Sequence, residues 1–387
     1  MRVSSHPLWL AGFRPFFSLV CLSGMALPVL WALVFSGKLT LPASPINIIQ
    51  WHAHEMFFGF GWAVMGGFLL TSTKNWVGVR GYHGLPLILL VIAWLLERIF
   101  LWYAGSLPPL LFRLGSQIFL ASITVMLLLT LFRHRQTDSY RSDNVFFLIL
   151  LPVFLLAKNL LLGETTFAAG QHMTLGLFRL AFLVMLERTL TQFMQSAYQV
   201  AILRHAQLDR TIKSLALLYV AAYWMPPALA SGIALLLAAL LLLRFGFWSP
   251  HLAMRRIDIG IMYLGYLALT AQLVLDAASL LALTHWVGSV SMHVFTFGVM
   301  GWIIPAMLIR ICKGHTGRKV GFDRIDRGIL WVMIAGFGFR IIAPQLDPAH
   351  YLRWIEIAAS AWFVTFAILA WRYIPFLLQP RADGREH

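Results

Sequence analysis

The chain has 387 residues and a mass of 43.7 kDa; 60% of its residues are hydrophobic, 12% are charged, and its mean hydropathy is +0.77. Soluble domains sit nearer about 45–50% apolar and about 25% charged, so this composition excludes a soluble enzyme, a disordered protein and an ordinary nucleic-acid binder. The formal charge of +15 then reads as membrane topology, because basic residues crowd the cytoplasmic loops of inner-membrane proteins. Two cysteines, Cys21 and Cys312, are too few for a disulfide framework or a CxxC site.

The first apolar run, Phe16 to Phe35, is long enough to span and reads as retained, not as a cleaved signal. A spanning helix needs about 20 apolar residues. Cutting at turn and charge clusters predicts twelve, near 16–36, 51–71, 85–104, 110–132, 144–162, 170–188, 213–229, 231–246, 258–283, 285–309, 327–343 and 352–374. The expected fold is therefore all-α, a polytopic bundle of twelve transmembrane helices making one integral membrane domain over residues 1–387. The cut between the seventh and eighth spans rests on Met225-Pro226-Pro227 through Ser231-Gly232, where proline favours a break. The polar connection 189–212 is either a surface helix or an extension of the sixth span.

Charge orients the bundle. With a cytoplasmic N-terminus, 23 basic residues fall in inside segments, from Arg2 and Arg14 to Arg381 and Arg385, and only Lys38 and Arg353 fall outside. That asymmetry alternates loop by loop, as the positive-inside rule demands. Both termini are expected in the cytoplasm of a bacterium, in a multi-pass inner-membrane protein.

Five basic residues remain within the spans: Arg98, Arg113, Lys158, Arg179 and Arg340. The span directions put all five in the periplasmic half. Snorkelling to the headgroups suits Arg113 and Lys158. Arg98, Arg179 and Arg340 lie a turn or more deeper, where an intramembrane charge marks a functional site and a guanidinium suits a carboxylate. Five histidines share that layer: His52 and His54 on the second span, His172 on the sixth, and His285 and His293 on the tenth. Histidine is the commonest metal ligand. In an α-helix His52 and His54 point to opposite faces, and His52 shares its face with Glu55 and Met56. His285, Ser289 and His293 form one stripe at four-residue spacing. Met173 and Met292 adjoin His172 and His293, and histidine with thioether suits copper(I). Nucleotide-binding, HExxH and nucleophile-elbow motifs are absent from the sequence.

The stretch Trp51-His-Ala-His-Glu-Met-Phe-Phe-Gly-Phe60 resembles the signature of the NnrS family. The glycine-bearing stretch after His293, Gly314-His-Thr-Gly-Arg318, the opening Pro7-Leu-Trp-Leu-Ala-Gly-Phe-Arg-Pro-Phe-Phe17 and the closing Pro380-Arg-Ala-Asp-Gly-Arg385 are similar to that family as well. The resemblance covers essentially the whole chain. It implies a twelve-helix bacterial inner-membrane protein that carries haem and copper and is tied to denitrification and nitric oxide stress. By motif it assigns His52, His54, Glu55 and His293 to the metal centre. The helix count also resembles the catalytic subunit of haem–copper oxidases, where histidines on helices two and ten hold a low-spin haem. Those enzymes place copper with histidines on helices six and seven; here helix six offers His172 and helix seven none.

Three expectations follow for the site. One histidine of the pair His52/His54, together with His293, holds the haem. At least one of Arg98, Arg179 and Arg340 binds its propionates. Copper sits near His172 and His285, within reach of Met173 or Met292, or else with Glu55 and the histidine that the haem leaves free. The functional reading is a redox or sensing protein for nitric oxide or iron–nitrosyl species, its electron donor unnamed by the sequence. The alternative is a secondary transporter of a metal or metal complex, which predicts related halves and a midplane site at broken helices.

Reporter fusions after residues 77, 138 and 250 should all report the cytoplasm, and one after residue 166 the periplasm. A periplasmic signal from residue 250 would overturn the break at Met225–Ser231.

Overall fold

A chain this apolar has to satisfy its backbone hydrogen bonds within each segment, which favours helices. The computed structural model describes residues 5–42, 44–139 and 141–385; Arg2 and His387 from the charge and histidine readings lie outside that set. The main helices are α1 (Phe13–Phe35), α2 (Ile48–Thr73), α3 (Leu85–Trp102), α4 (Pro109–Arg133), α5 (Asn144–Leu162), α6 (Phe167–Tyr198), α7 (Ala206–Leu218), α8 (Pro227–Phe247), α9 (Ile257–Leu280), α10 (Val290–His315), α11 (Arg324–Leu346) and α12 (Pro348–Leu377).

Ten of these, all but α6 and α7, are long and apolar enough to cross a membrane. The chain is a multi-pass helical membrane protein. The expected spans 170–188 and 213–229 fall on the other two. α6 is 32 residues long but carries Arg179, Glu187 and Arg188, and α7 has 13 residues before a 3₁₀ stretch over Tyr219–Trp224. Met225 and Pro226 are extended and Pro227 opens α8, so the chain breaks there, while Ser231 and Gly232 lie inside α8. A proline at the first helical position loses no hydrogen bond, which makes this an inexpensive restart.

Contacts divide the chain into two compact units, one of Met1–Gly170, Leu308–Gly321 and Phe366–His387, the other of Gln171–Met307 and Phe322–Thr365. In the first unit the start of α2 is pinned from two sides. Asn47 caps it by accepting from Ile49 and Gln50, and the Gln50 side chain answers the Asn47 backbone, a capping box that satisfies orphan donors. Gln50 also donates to the carbonyls of Leu161 (3.4 Å) and Gly163 (3.2 Å), at the end of α5. Trp51 is buried with Ile46 and Leu101, which sets α2 against the end of α3. These anchors bring His54, Arg98 and Lys158 to one end of the unit.

At the other end of this unit three of the resembling motifs meet. Arg14 is fully buried and donates to the carbonyls of Leu377 and Gln379, both at 2.7 Å. A cation there complements the last carbonyls of α12. Ala382 donates to the Thr316 carbonyl (2.9 Å), Arg381 to that of His315 (3.2 Å) and Arg318 to the Gln379 side chain (3.2 Å). Arg381 in turn holds the Asp383 carboxyl below the usual carboxylate range through their hydrogen bonds.

In the second unit, α9 packs on α8 through two tyrosines: Tyr263 donates to the Trp248 carbonyl and Tyr266 to that of Leu241. Gln345 exchanges two hydrogen bonds with the Val287 backbone (3.0 and 3.1 Å), fixing the loop before α10 to the end of α11. Lys213 and Arg244, at the inner ends of the expected spans 213–229 and 231–246, do not face the cytoplasm as free charges. They are buried with Glu187, at 3.3 Å each, and Arg244 also reaches Asp209.

Gly317 sits at φ +76°, where a Cβ would meet the Asp383 backbone nitrogen at 2.8 Å. Gly317→Ala should therefore cost about 1–3 kcal/mol in thermal unfolding of the detergent-solubilised protein. Gly321→Ala, with open space around it, should leave the transition unchanged.

Candidate functional site

Each unit gathers some of the predicted site residues in a buried polar cluster. In the first, His54 is fully enclosed, as are Glu97 and Lys158, and Glu55 is nearly so. Arg98 lies across both carboxylates, with Nε 2.9 Å from Glu55 Oε2 and Nη2 donating to Glu97 Oε1 at 2.7 Å. Lys158 Nζ donates to the same Glu97 oxygen. His54 Nδ1 lies 3.4 Å from Glu55 Oε1, and its Nε2 lies 3.7 Å from Glu97 Oε1. Two carboxylates thus face two cations, and the balanced charge offsets the desolvation that burial imposes. Aromatic faces finish the enclosure: Trp94 under Arg98 at 4.9 Å and Phe58 under Lys158 at 5.5 Å. Gly59 makes room, since a Cβ there would meet Glu55 Oε2 at 3.0 Å and Arg98 Nη1 at 3.3 Å. Its carbonyl takes the Trp94 indole N–H at 3.0 Å.

The snorkelling expected of Lys158 is not what the structure has. Its side chain turns inward to Glu97 because a salt bridge in an apolar interior outweighs a short reach to the headgroups. Glu97 and Lys158 are the two members of this cluster that the sequence reading did not place in a site. His52 stays apart from it, with its ring stacked on Trp31 at 4.1 Å and 16°.

In the second unit Arg179 donates to Gln272 Oε1 through Nε (3.1 Å) and Nη2 (2.8 Å), and Asp276 lies 3.6 Å away. Tyr219 and Ser291 both donate to Asp276 at 3.1 Å. Nearby in sequence, the His293 ring donates from Nδ1 to the Ser289 carbonyl at 2.8 Å. That tautomer, assigned from the network, leaves Nε2 to accept from Arg340 Nη2 at 3.0 Å. α10 begins at Val290, so the expected His285–Ser289–His293 stripe shortens to the contact between Ser289 and His293; His285 is exposed in the preceding loop. His172 packs against Tyr223, ring centroids 5.9 Å apart.

Three of these helices carry π-helical turns, over Glu55–Gly61, Val294–Met300 and Gly338–Ile342. The first two follow directly on His54 and His293, and the third contains Arg340. Such turns concentrate at functional sites, because one extra residue per turn re-aims the side chains around it.

A family model described as NnrS protein matches residues 7–381. The chain belongs to the NnrS family. No curated relative matches it. The signature that carried the resemblance, residues 51–60, supplies His54 and Glu55 to the first cluster and forms most of the first π-turn of this NnrS chain.

Among the described residues, no group of three or more His, Cys, Asp or Glu side chains is arranged to hold a metal ion. For copper, the residues present do not form a ready ligand set at His172 and His285. For a haem, whose iron can take a histidine imidazole as its axial ligand, the relevant observation is a single nitrogen. His54 Nε2 is buried and has no hydrogen-bond partner among the described residues.

Removing one partner from a buried ion pair costs about 3–5 kcal/mol, whereas replacing both is often neutral. Glu97→Gln alone should therefore lower the unfolding temperature of the purified protein sharply. The double variant Glu97→Gln/Lys158→Met should recover most of the loss; equal losses in single and double variants would mean the pair does not act as a unit.

Proposed function

We propose that this protein is a haem-binding inner-membrane protein of nitric oxide metabolism, with its site in the periplasmic half of the bundle. The single observation that carries the reading is the buried imidazole nitrogen of His54 that makes no hydrogen bond inside a charge-balanced cluster, in a chain of the NnrS family. Among buried polar atoms, a nitrogen left without a hydrogen bond calls for a function, and an imidazole nitrogen is a metal ligand by its chemistry. His54 is the ligand of choice over His52, whose ring stacks on Trp31 and is not part of the charged cluster. Arg98 is the guanidinium suited to a haem propionate beside His54; in the other unit His293 and Arg340 are, taken by themselves, a second candidate ligand and propionate partner.

A haem would supply an iron centre that binds nitric oxide and exchanges single electrons. The residues of this chain do the rest. Glu55, held by Arg98, lies beside His54 Nδ1 and fixes the orientation of the ring, as second-shell carboxylates do for ligating histidines. Glu97, Arg98 and Lys158 keep the surroundings of the imidazole close to neutral. The apolar enclosure excludes water while admitting a small uncharged molecule such as nitric oxide from the bilayer. Copper stays in the reading through the family resemblance alone, with no ligand set assigned to it.

An absorption spectrum of the freshly purified full-length protein should show haem bands, with metal analysis run on the same sample. His54→Ala should remove most of the bound haem, His293→Ala should lower its content or change its spectrum, and His52→Ala should leave both nearly unchanged. Haem retained in full by both the His54 and His293 variants would sink the assignment. Protein that never carries haem or copper would instead favour transport of a metal complex.

A further inference from the structure

Outside both clusters, a cavity of about 290 Å³ opens between the end of α2 and the end of α4. Arg80 and Arg133 line it together with His83, His134, Tyr82 and Thr130, and among the described residues no acidic side chain does. Its walls are tied down. The Tyr82 hydroxyl donates to the Met126 carbonyl (3.1 Å) and accepts from Thr130 (3.3 Å), drawing the loop after α2 onto α4. Thr137 donates to the Val77 carbonyl and Ser139 to that of Trp76, so the chain leaving α4 is fixed to the end of α2. Gly84 donates to the Trp9 carbonyl at 2.7 Å from the far side.

The polar walls continue directly into an apolar face. Pro86 and Leu129 line the cavity, and each opens a stripe of exposed side chains along its helix. On α3 these are Leu85, Leu89 and Ile92; on α4 they are Val125, Leu129 and Phe132. The spacing of four and three residues puts each set on one helix face. A second basic cavity in the other unit, with Arg255, Arg256 and Arg327, differs in one respect: Asp258 engages Arg256 there through two hydrogen bonds, at 3.1 and 2.9 Å.

We propose that the first cavity binds the headgroup of an anionic glycerophospholipid, its phosphodiester between Arg80 and Arg133 and its acyl chains along the exposed stripes of α3 and α4. Guanidiniums match phosphate oxygens in a planar, bidentate way. The location at the ends of two spans is where basic pockets meet lipid headgroups. A free phosphate or a nucleotide would use the arginines but not the apolar stripes, and the continuity of the two surfaces selects the lipid.

The test titrates the purified full-length protein with phosphatidylglycerol, and separately with phosphatidylcholine, and counts bound lipid by native mass spectrometry. Phosphatidylglycerol should bind in preference. Arg80→Gln and Arg133→Gln should each weaken it about fivefold and the double variant about thirtyfold, with Arg80→Lys/Arg133→Lys intermediate. Arg255→Gln/Arg327→Gln, at the other cavity, should bind as the wild type does. Should the double Gln variant fail to fold, the two single variants carry the test. Equal binding of both lipids, or wild-type affinity in the Gln variants, overturns the proposal. So does inorganic phosphate protecting the protein against thermal unfolding as strongly as the lipid, which would make this a site for a free anion.

Discussion

The cost of charge in an apolar medium governs the interior of this protein. A carboxylate removed from water loses several kcal/mol of hydration, and Glu97 is fully removed. It is tolerable only because Arg98 and Lys158 converge on one of its oxygens. Those two cations come from different helices, α3 and α5, so the ion pair is also a statement about packing. α5 has to approach α3 closely enough for a lysine stem to reach across, and the Gln50 bonds to Leu161 and Gly163 hold it there. His54 is then enclosed by groups whose first task is to neutralise each other.

The second unit solves the same problem at two levels. Arg179 is met by a neutral amide, with Asp276 further off, and Asp276 is itself satisfied by hydroxyls from Tyr219 and Ser291. Glu187 and Asp209 are shared by three cations, Arg244, Lys213 and Arg204, around the junction of α6, α7 and α8. Hydrogen-bonded charge networks rigidify when every member is partnered. They also explain why α6 reads poorly as a span by hydropathy: its charges serve partners on neighbouring helices and do not face lipid.

Much of this was legible in the sequence. The apolar runs gave the helices, Pro226-Pro227 marked the break before α8, and the His-Ala-His-Glu stretch named two members of the first cluster. Lys158 was not legible, because position along a span gives depth and leaves the facing direction open. A lysine one turn from a helix end can reach the headgroups or turn inward, and only the carboxylate on α3 decides. His285 was misplaced in the stripe for a similar reason: apolar content extends past the point where α10 begins at Val290, and Gly288 and Ser289 carry no apolar signal to mark it. The π-turns were invisible altogether, since residue patterns do not record which carbonyl each N–H chooses.

The two leading histidines differ in what a metal would ask of them. His54 Nε2 has no hydrogen bond to give up. His293 Nε2 accepts from Arg340, so ligation there means displacing a guanidinium that is itself more than nine-tenths buried. A buried cation that loses an acceptor needs another, and a carboxylate is the acceptor its geometry fits best. If a haem were ligated by His293, one of its propionates would be the natural replacement acceptor for Arg340, so the two proposed roles would be linked. A ligand that offered an iron without a carboxylate would engage the imidazole and leave Arg340 one acceptor short, with Tyr351 as its remaining side-chain partner. On that argument the Arg340–His293 contact favours a metal complex that brings its own anionic groups over a bare metal ion, which is the distinction between a haem protein and a carrier of simple cations.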